Sequence, residues 1–362
     1  MRANRTRISR RTWLQSAAAA AFSAAGCGRR FGQTSSSGSQ LKVFNWSDYI
    51  DESVVPEFQR QTGCTVVYDN YSSDSELETR LATGAGSYDV VFPSDRAIIP
   101  LIAKGLLREL DRSLLPNFRH LDSKFLAQPF DSTNQFSAPY FWGTLAVGVR
   151  TDFVHGAAAG LEPLFDERNR GRITMLDDME NVVAVVLGHL GYPLNSVDPD
   201  HLKLAKDKLI EQKSLVQAYT SDSYRERLIT GEAWASLGWS GDLLQADAEL
   251  RTIHPKARVM VIIPGGGTMI WIDSMVIPKA AQNVELAHAF INYLLEPSVA
   301  VLNAKKVNYA TPNATAREQL PAAMLADESI YPPAEVLARC TALQDRGPDI
   351  EKIEQVWRVV RQ

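Results

Sequence analysis

Three tryptophan–aspartate pairs recur in the chain, each at the edge of an apolar run. Trp46 and Asp48 lie in Phe44-Asn45-Trp46-Ser47-Asp48-Tyr49. Trp239 and Asp242 lie in Gly238-Trp239-Ser240-Gly241-Asp242, and Trp271 and Asp273 in Trp271-Ile272-Asp273-Ser274. A carboxylate pairs with an ammonium through charge-assisted hydrogen bonds. A desolvated tryptophan face adds a cation–π attraction of about 0.5–2 kcal/mol. Flat aromatic walls also cover methylene groups, at roughly 0.8 kcal/mol per buried CH₂. A linear aliphatic polyamine offers both separated ammonium groups and apolar spacers. Taken singly, each pair also fits a core tryptophan beside a capping or turn aspartate. Their recurrence at equivalent places is what points to a site.

Other chemistries find less support. The histidines His120, His155, His189, His201, His254 and His288 are scattered, with no paired metal-ligand spacing. Gly265-Gly266-Gly267 lacks the Gly-Lys-Ser/Thr of a phosphate loop and reads as a turn, and no Gly-x-Ser-x-Gly elbow is present. Acids beside aromatics also suit a sugar-cleaving enzyme, but the small spacing of the strand-end acids argues against it. Anion sites use hydroxyls and helix N-termini, and unpaired acids would oppose an anion. The expectation is a binding protein with no catalytic residue, metal or cofactor. A binder of another cationic solute and a sensory binding protein are the alternatives.

The elements that would position these residues alternate. Strand Leu41 to Trp46 precedes a helix from about Ser53 to Thr62 and a strand from Cys64 to Tyr68. Ser73 and Glu76 have capping-box spacing, opening a helix that ends near Gly84. Tyr88 to Phe92 is a third strand, closed by Pro93-Ser94. A second set follows: strands Arg172 to Leu176, Leu215 to Thr220, Ala233 to Trp239, Val259 to Ile263 and Ile270 to Ile277. Its helices are Asn181 to Leu190, Asp198 to Glu211 and Asp222 to Thr230, with Glu285 to Leu295 and Asp349 to Val360 later. This pattern predicts an α/β fold with a mostly parallel sheet covered on both faces. The chain crosses between the sets near Tyr140 to Arg150 and again near Trp271 to Ile277. Ligands of open α/β sheets sit outside the carboxyl ends of the strands, where the tryptophan–aspartate pairs are expected.

The chain has 362 residues, 45% hydrophobic and 22% charged, enough for two lobes. Residues 1–40 read as an export signal and flexible tether. Ser9-Arg10-Arg11-Thr12-Trp13-Leu14 resembles a twin-arginine signal, followed by the apolar run Ala17 to Ala25. Ala24-Ala25-Gly26-Cys27 resembles a bacterial lipobox, which marks Cys27 for lipidation, though alanine replaces its usual leucine. Gln33 to Gln40 is a Ser/Gly tether. No later segment is long and apolar enough to span a bilayer. The formal charge is −4, and the signal carries arginines but no acid, so the exported part is more acidic. That argues against a nucleic-acid partner and suits a cationic ligand. Cys64 and Cys340 are expected to be free, buried and inert.

With these residues in view, the sequence resembles the polyamine-binding (spermidine/putrescine) proteins of bacterial ABC importers, over about Leu41 to Trp357. The Trp46, Trp239 and Trp271 segments carry the resemblance. So do Tyr88-Asp89-Val90-Val91-Phe92-Pro93-Ser94, Pro139-Tyr140-Phe141-Trp142-Gly143 and Tyr309-Ala310-Thr311-Pro312-Asn313. The resemblance implies a type II periplasmic binding protein fold with a ligand cleft between two α/β lobes. One lobe would comprise residues 41–148 and 273–315, the other 149–272 and 316–362. Trp46, Tyr49, Trp239 and Trp271 would wall the cleft. Ser47, Asp48 and Ser94 would give polar contacts, Asp178, Asp242 and Asp273 would meet the amines, and Tyr309 and Gln344 would complete the rim. The implied partner is an ABC permease. The implied protein is a monomer in the periplasm or, as a lipoprotein, on the outer face of the cytoplasmic membrane. Two positions depart from the family pattern. Asn181 stands where a glutamate often meets an amine, and Arg96 stands near a tyrosine of spermidine binders. The Trp-Ser-Asp-Tyr and Trp-Ser-Gly-Asp motifs look more like the putrescine-preferring branch.

Overall fold

The computed structural model describes residues 39–84, 87–156 and 159–362. The twin arginines, Cys27 and the tether up to residue 38 lie outside them. Among the described residues, no helix is long and apolar enough to cross a membrane.

β1 (Gln40–Trp46) pairs in parallel with β2 (Thr65–Tyr71), from Gln40 opposite Thr65 to Trp46 opposite Tyr71. On its other side it pairs with β3 (Val90–Val91). Parallel neighbours need crossovers, supplied by α1 (Val54–Thr62) and α2 (Asp74–Thr83). Both helices stop at a left-handed glycine, Gly63 and Gly84. Half of the predicted capping box is present: the Glu76 N–H donates to Ser73 Oγ at 3.2 Å, while the Glu76 carboxylate accepts from the N–H of Ser72 rather than that of Ser73. β3 is shorter than expected; Asp89 beside it still donates its backbone N–H to Lys42 O at 2.7 Å and turns its carboxylate to the backbone N–H groups of Lys42, Gln282 and Asn283. α3 (Asp95–Ala103) begins straight after Ser94, where the sequence showed no helix pattern.

After the short β4 (Leu107–Arg108), β5 (Ser137–Arg150) runs fully buried for 14 residues. The second set comprises β6 (Ile173–Met175), β7 (Val216–Tyr219), β8 (Ala235–Trp239) and β9 (Val259–Ile262). Its helices are α4 (Met179–His189), α5 (Pro199–Lys213), α6 (Tyr224–Thr230) and α7 (Ser240–Ile253). β10 (Ile270–Pro278), α8 (Val284–Leu294), α9 (Pro297–Val307) and a C-terminal helix, Ile350–Arg361, complete the architecture. The strand order is β2-β1-β3-β10-β5-β8-β6-β7.

The expected mostly parallel sheet is corrected at its centre. β10 is antiparallel to both β3 and β5, and β5 is antiparallel to β8 and β9. These strands run between the two halves, so they meet each half in reverse. The first half of β5 puts Phe141 and Trp142 into one core with Leu41, Phe58 and Phe290. Its second half puts Leu145 and Val147 into another with Leu187, Leu237 and Ile353. Leu320, Ile330 and Tyr331 pack in the first core, although the sequence reading grouped residues 316–362 with the second. Cys64 is buried as expected, Cys340 is only half-buried, and both are free.

Where β5 meets β10, Gly143 has no room for a side chain. A Cβ there would lie 2.7 Å from Trp271 Cζ2 and 3.0 Å from Tyr309 Cδ1. Gly143→Ala should therefore destabilise the fold by roughly 1–3 kcal/mol, the usual penalty of overpacking. Urea unfolding followed by tryptophan fluorescence measures this, and an unchanged midpoint would show that the rings yield freely.

Candidate functional site

A cleft of about 1040 Å³ opens at the carboxyl ends of β1, β3 and β8. Of the twelve expected ligand contacts, eleven line it: Trp46, Ser47, Asp48 and Tyr49 after β1, Ser94 after β3, Asp178, Trp239 and Asp242 from the second half, Trp271 and Asp273 on β10, and Tyr309. Gln344 does not. It faces a neighbouring cavity of about 920 Å³. Trp271 and Asp273 are not after a strand, as expected, but at the start of one. They still reach the cleft because β10 is antiparallel. Its beginning lies beside the end of β3, with Asp273 bridged to Ser94.

Asp273 is 6% exposed, and its Oδ2 accepts a hydrogen bond from the Tyr49 hydroxyl at 2.7 Å. Burial lifts its pKa well above the carboxylate range, against the opposing effect of that hydrogen bond, and the nearby Asp74, Asp95 and Asp242 add to the rise. Asp242 stands in the first turn of α7. Its oxygens accept from Tyr224 Oη at 2.6 Å and Tyr309 Oη at 2.8 Å. Burial raises its pKa too, only partly offset by these hydroxyls and by Arg225. Tyr309 is buried and forms the floor rather than the rim. Its ring meets Trp271 edge-on at 4.9 Å and Tyr49 at 5.6 Å, and Trp271 meets Trp239 at 6.1 Å. Gly241 admits Tyr309, since a Cβ there would lie 2.5 Å from its ring.

The opposite wall holds residues that sequence reasoning missed. Trp46 Nε1 donates to Phe92 O at 2.8 Å, and its ring lies 4.4 Å from that of Tyr71. Ser94 Oγ donates to Asp74 Oδ2 at 2.5 Å. Burial raises the pKa of Asp74 and lifts that of Asp95 to about 7. Asp74 had shown only as part of a capping helix, and Asp95 only as the residue after Ser94. Arg96 pairs with Asp178 at 3.3 Å and with Glu180 at 3.2 Å. Asp178 also caps α4, accepting from the Asn181 N–H and side-chain amide. The exposed Asp48 pairs with Arg225 at 3.1 Å. No local motif marks Glu180, Tyr224 or Arg225, whose partners lie far away in sequence.

Residues 53–332 match the family model of bacterial extracellular solute-binding proteins. The chain belongs to this family. It is 33% identical over 332 residues to a putrescine/cadaverine-binding protein of Pseudomonas aeruginosa, covering 89% of this chain and 93% of that protein. It is 31% identical over 323 residues to the spermidine/putrescine-binding periplasmic protein of Escherichia coli, covering 89% and 91%. A solved spermidine/putrescine ABC transporter substrate-binding protein of Streptococcus pneumoniae superposes with a TM-score of 0.78 at 30% identity, over 89% of this chain and 98% of that one. The fold of this solute-binding protein is accordingly the type II periplasmic binding fold, two α/β lobes with a cleft between them.

The chemistry of the cleft is that of a receptor for positive charge. Among the described residues, Asp242 and Asp273 are supplied with neutral tyrosine hydroxyls rather than with a direct salt-bridge partner. Such acids make the folded, ligand-free protein hold protons that the unfolded chain has already lost. Their contribution therefore falls as pH rises from the ordinary carboxylate value of 3.8 toward their raised values. Asp273→Asn keeps an oxygen for the Tyr49 hydroxyl but has no charge to bury. In thermal unfolding without ligand, it should unfold at a higher temperature than the parent at neutral pH, with the two converging below pH 3.8. Equal stabilities at neutral pH would show that the buried charge carries no such penalty.

Proposed function

We propose that this solute-binding protein captures a polyamine, putrescine or spermidine, in the inter-lobe cleft and delivers it unchanged to the permease of an ABC importer. One observation carries the reading: Asp273 is buried and Asp242 half-buried beside Trp239, Trp271 and Tyr309, and among the described residues no cation is bonded to either. Ammonium groups would supply the missing charge, and the aromatic walls would cover the methylenes between them. The names of the relatives from Pseudomonas aeruginosa and Escherichia coli support the same ligand class.

In this reading Trp46, Tyr49, Trp239 and Trp271 wall the ligand, Ser47, Asp48 and Ser94 contribute polar contacts, and Tyr309 orients Asp242. Asp178 acts through its partner Arg96, and Gln344 stands outside the ligand's immediate reach. The first lobe takes residues 41–148 and 273–315 and continues through Tyr331, which packs in its core. The second takes residues 149–272 and the remaining C-terminal segment. The protein works as a monomer without enzymatic activity, in the periplasm or held by a lipidated Cys27 on the outer face of the cytoplasmic membrane.

Calorimetric titration with putrescine and spermidine tests the reading. Truncating one member of a buried charge pair costs roughly 2–5 kcal/mol, so Asp242→Asn and Asp273→Asn should each weaken binding by tens- to thousands-fold. If both variants bind within about twofold of the parent, these acids do not hold the amines.

A further inference from the structure

The cleft is one of two adjoining cavities. The second is more apolar, with Phe125, Phe130, Trp142 and Gln344 among its lining residues. Asp95, Arg96, Glu180, Ile270 and Leu343 line both, so they form the wall between them. A continuous ionic chain runs through that wall. Arg96 Nη2 meets Asp178 Oδ2 at 3.3 Å, and Arg96 Nη1 meets Glu180 Oε1 at 3.2 Å. The other Glu180 oxygen meets Arg346 Nη1 at 2.7 Å. Arg346 is almost wholly buried, with a second hydrogen bond to the Leu194 carbonyl. Arg96 comes from the first lobe's α3, and Asp178 and Glu180 lie at the start of α4 in the second.

Resting on the polyamine reading, we propose that Arg96 is a built-in cation that closes the cleft at this wall and restricts its ligand to a short α,ω-diamine. The acids divide into two groups. Asp178 and Glu180 are already paired with Arg96, which also lies in the field of Asp74 and Asp95. Asp48 has Arg225. Asp222 and Glu226 also line the cleft, but as exposed residues. Among its buried and half-buried acids that leaves Asp242 and Asp273, each held by tyrosine hydroxyls, for the two ammonium groups of a diamine. A third ammonium extended toward the wall meets a guanidinium in place of a free carboxylate. The guanidinium also blocks the way to the second cavity and Gln344.

Calorimetry on the exported chain with putrescine, spermidine and a series of linear α,ω-diamines of increasing length tests this. The parent should prefer putrescine over spermidine by about tenfold or more. Arg96→Ala should shrink that preference by a similar factor, because it frees Asp178, leaves Glu180 with Arg346 alone and joins the two cavities. The parent alone gives a second readout that does not depend on a variant folding. In an open channel each added methylene strengthens binding by about fourfold, whereas the wall makes affinity fall beyond the short diamines. A steady rise with length, or a spermidine-to-putrescine ratio unchanged in a folded Arg96→Ala protein, overturns the role of Arg96 and leaves the polyamine reading standing. Binding of neither putrescine nor spermidine by the parent overturns the polyamine reading itself.

Discussion

Asp242 and Asp273 place two carboxyl groups inside an aromatic enclosure, and much of the surrounding structure serves to keep them there. Removing a carboxylate from water is expensive unless it is paired and hydrogen-bonded. Here the hydrogen bonds are present, from Tyr49, Tyr224 and Tyr309, but the countercharge is not among those bonds. A hydroxyl offsets part of the desolvation penalty without cancelling the charge. The remainder is relieved either by taking up a proton or by admitting a cation. The tyrosines are fixed in turn: Tyr309 lies between Trp271 and Tyr49, above a helix start that Gly241 leaves open. The fold itself thus holds the polar groups of the cleft in place, so little binding energy is spent on ordering them.

The other charges of the cleft follow a different logic. Arg96 with Asp178 and Glu180, and Asp48 with Arg225, join elements of the first core to elements of the second. These pairs are partly exposed, and pairs of that kind are worth about 0–1 kcal/mol each. They can align the lobes without locking them. A ligand that bridges Asp242 and Asp273 then has more to contribute to the relation between the lobes than the ion pairs do, which is the condition for a ligand-controlled closing motion.

Much of the fold was legible because its signals are local. Alternating apolar runs and caps gave β1, α1 and α2 nearly to the residue, including the Ser73 cap, while β2 runs three residues past its expected end at Tyr68. α3 and α7 were hidden. The first contains Pro100, and each begins at a segment that already read as a strand-end motif. The aromatic and acidic residues of the cleft were visible as recurring pairs, yet their partners were not. Arg96 and Asp178 are 82 residues apart and Tyr49 and Asp273 are 224 apart, and no spacing rule links them. Asp178 was expected only as a ligand group. It is a cap, and it also lines the cleft, because the N-terminus of α4 opens there.

The reversal of β10 explains why the Pro139 to Gly143 segment belongs with the site although none of its residues lines the cleft. β5 and β10 pair from Ile270 to Asp273 in one register, and the register shifts between Asp273 and Ser274. Asp273 faces Phe141 and Ser274 faces Pro139, so Tyr140 is the extra residue of a bulge. A bulge re-aims side chains and sharpens twist. Tyr140 uses its position to donate a hydrogen bond to the Tyr49 carbonyl at 2.9 Å, with its ring 5.7 Å from that of Tyr49. Tyr49 then presents its hydroxyl to Asp273, the residue at the shift. Three residues after Tyr140, Gly143 leaves the space that Trp271 fills. The strand that ties the lobes together therefore also sets the carboxylate, the hydroxyl that holds it and the indole beside it. A change in the register of that single ladder would displace all three at once.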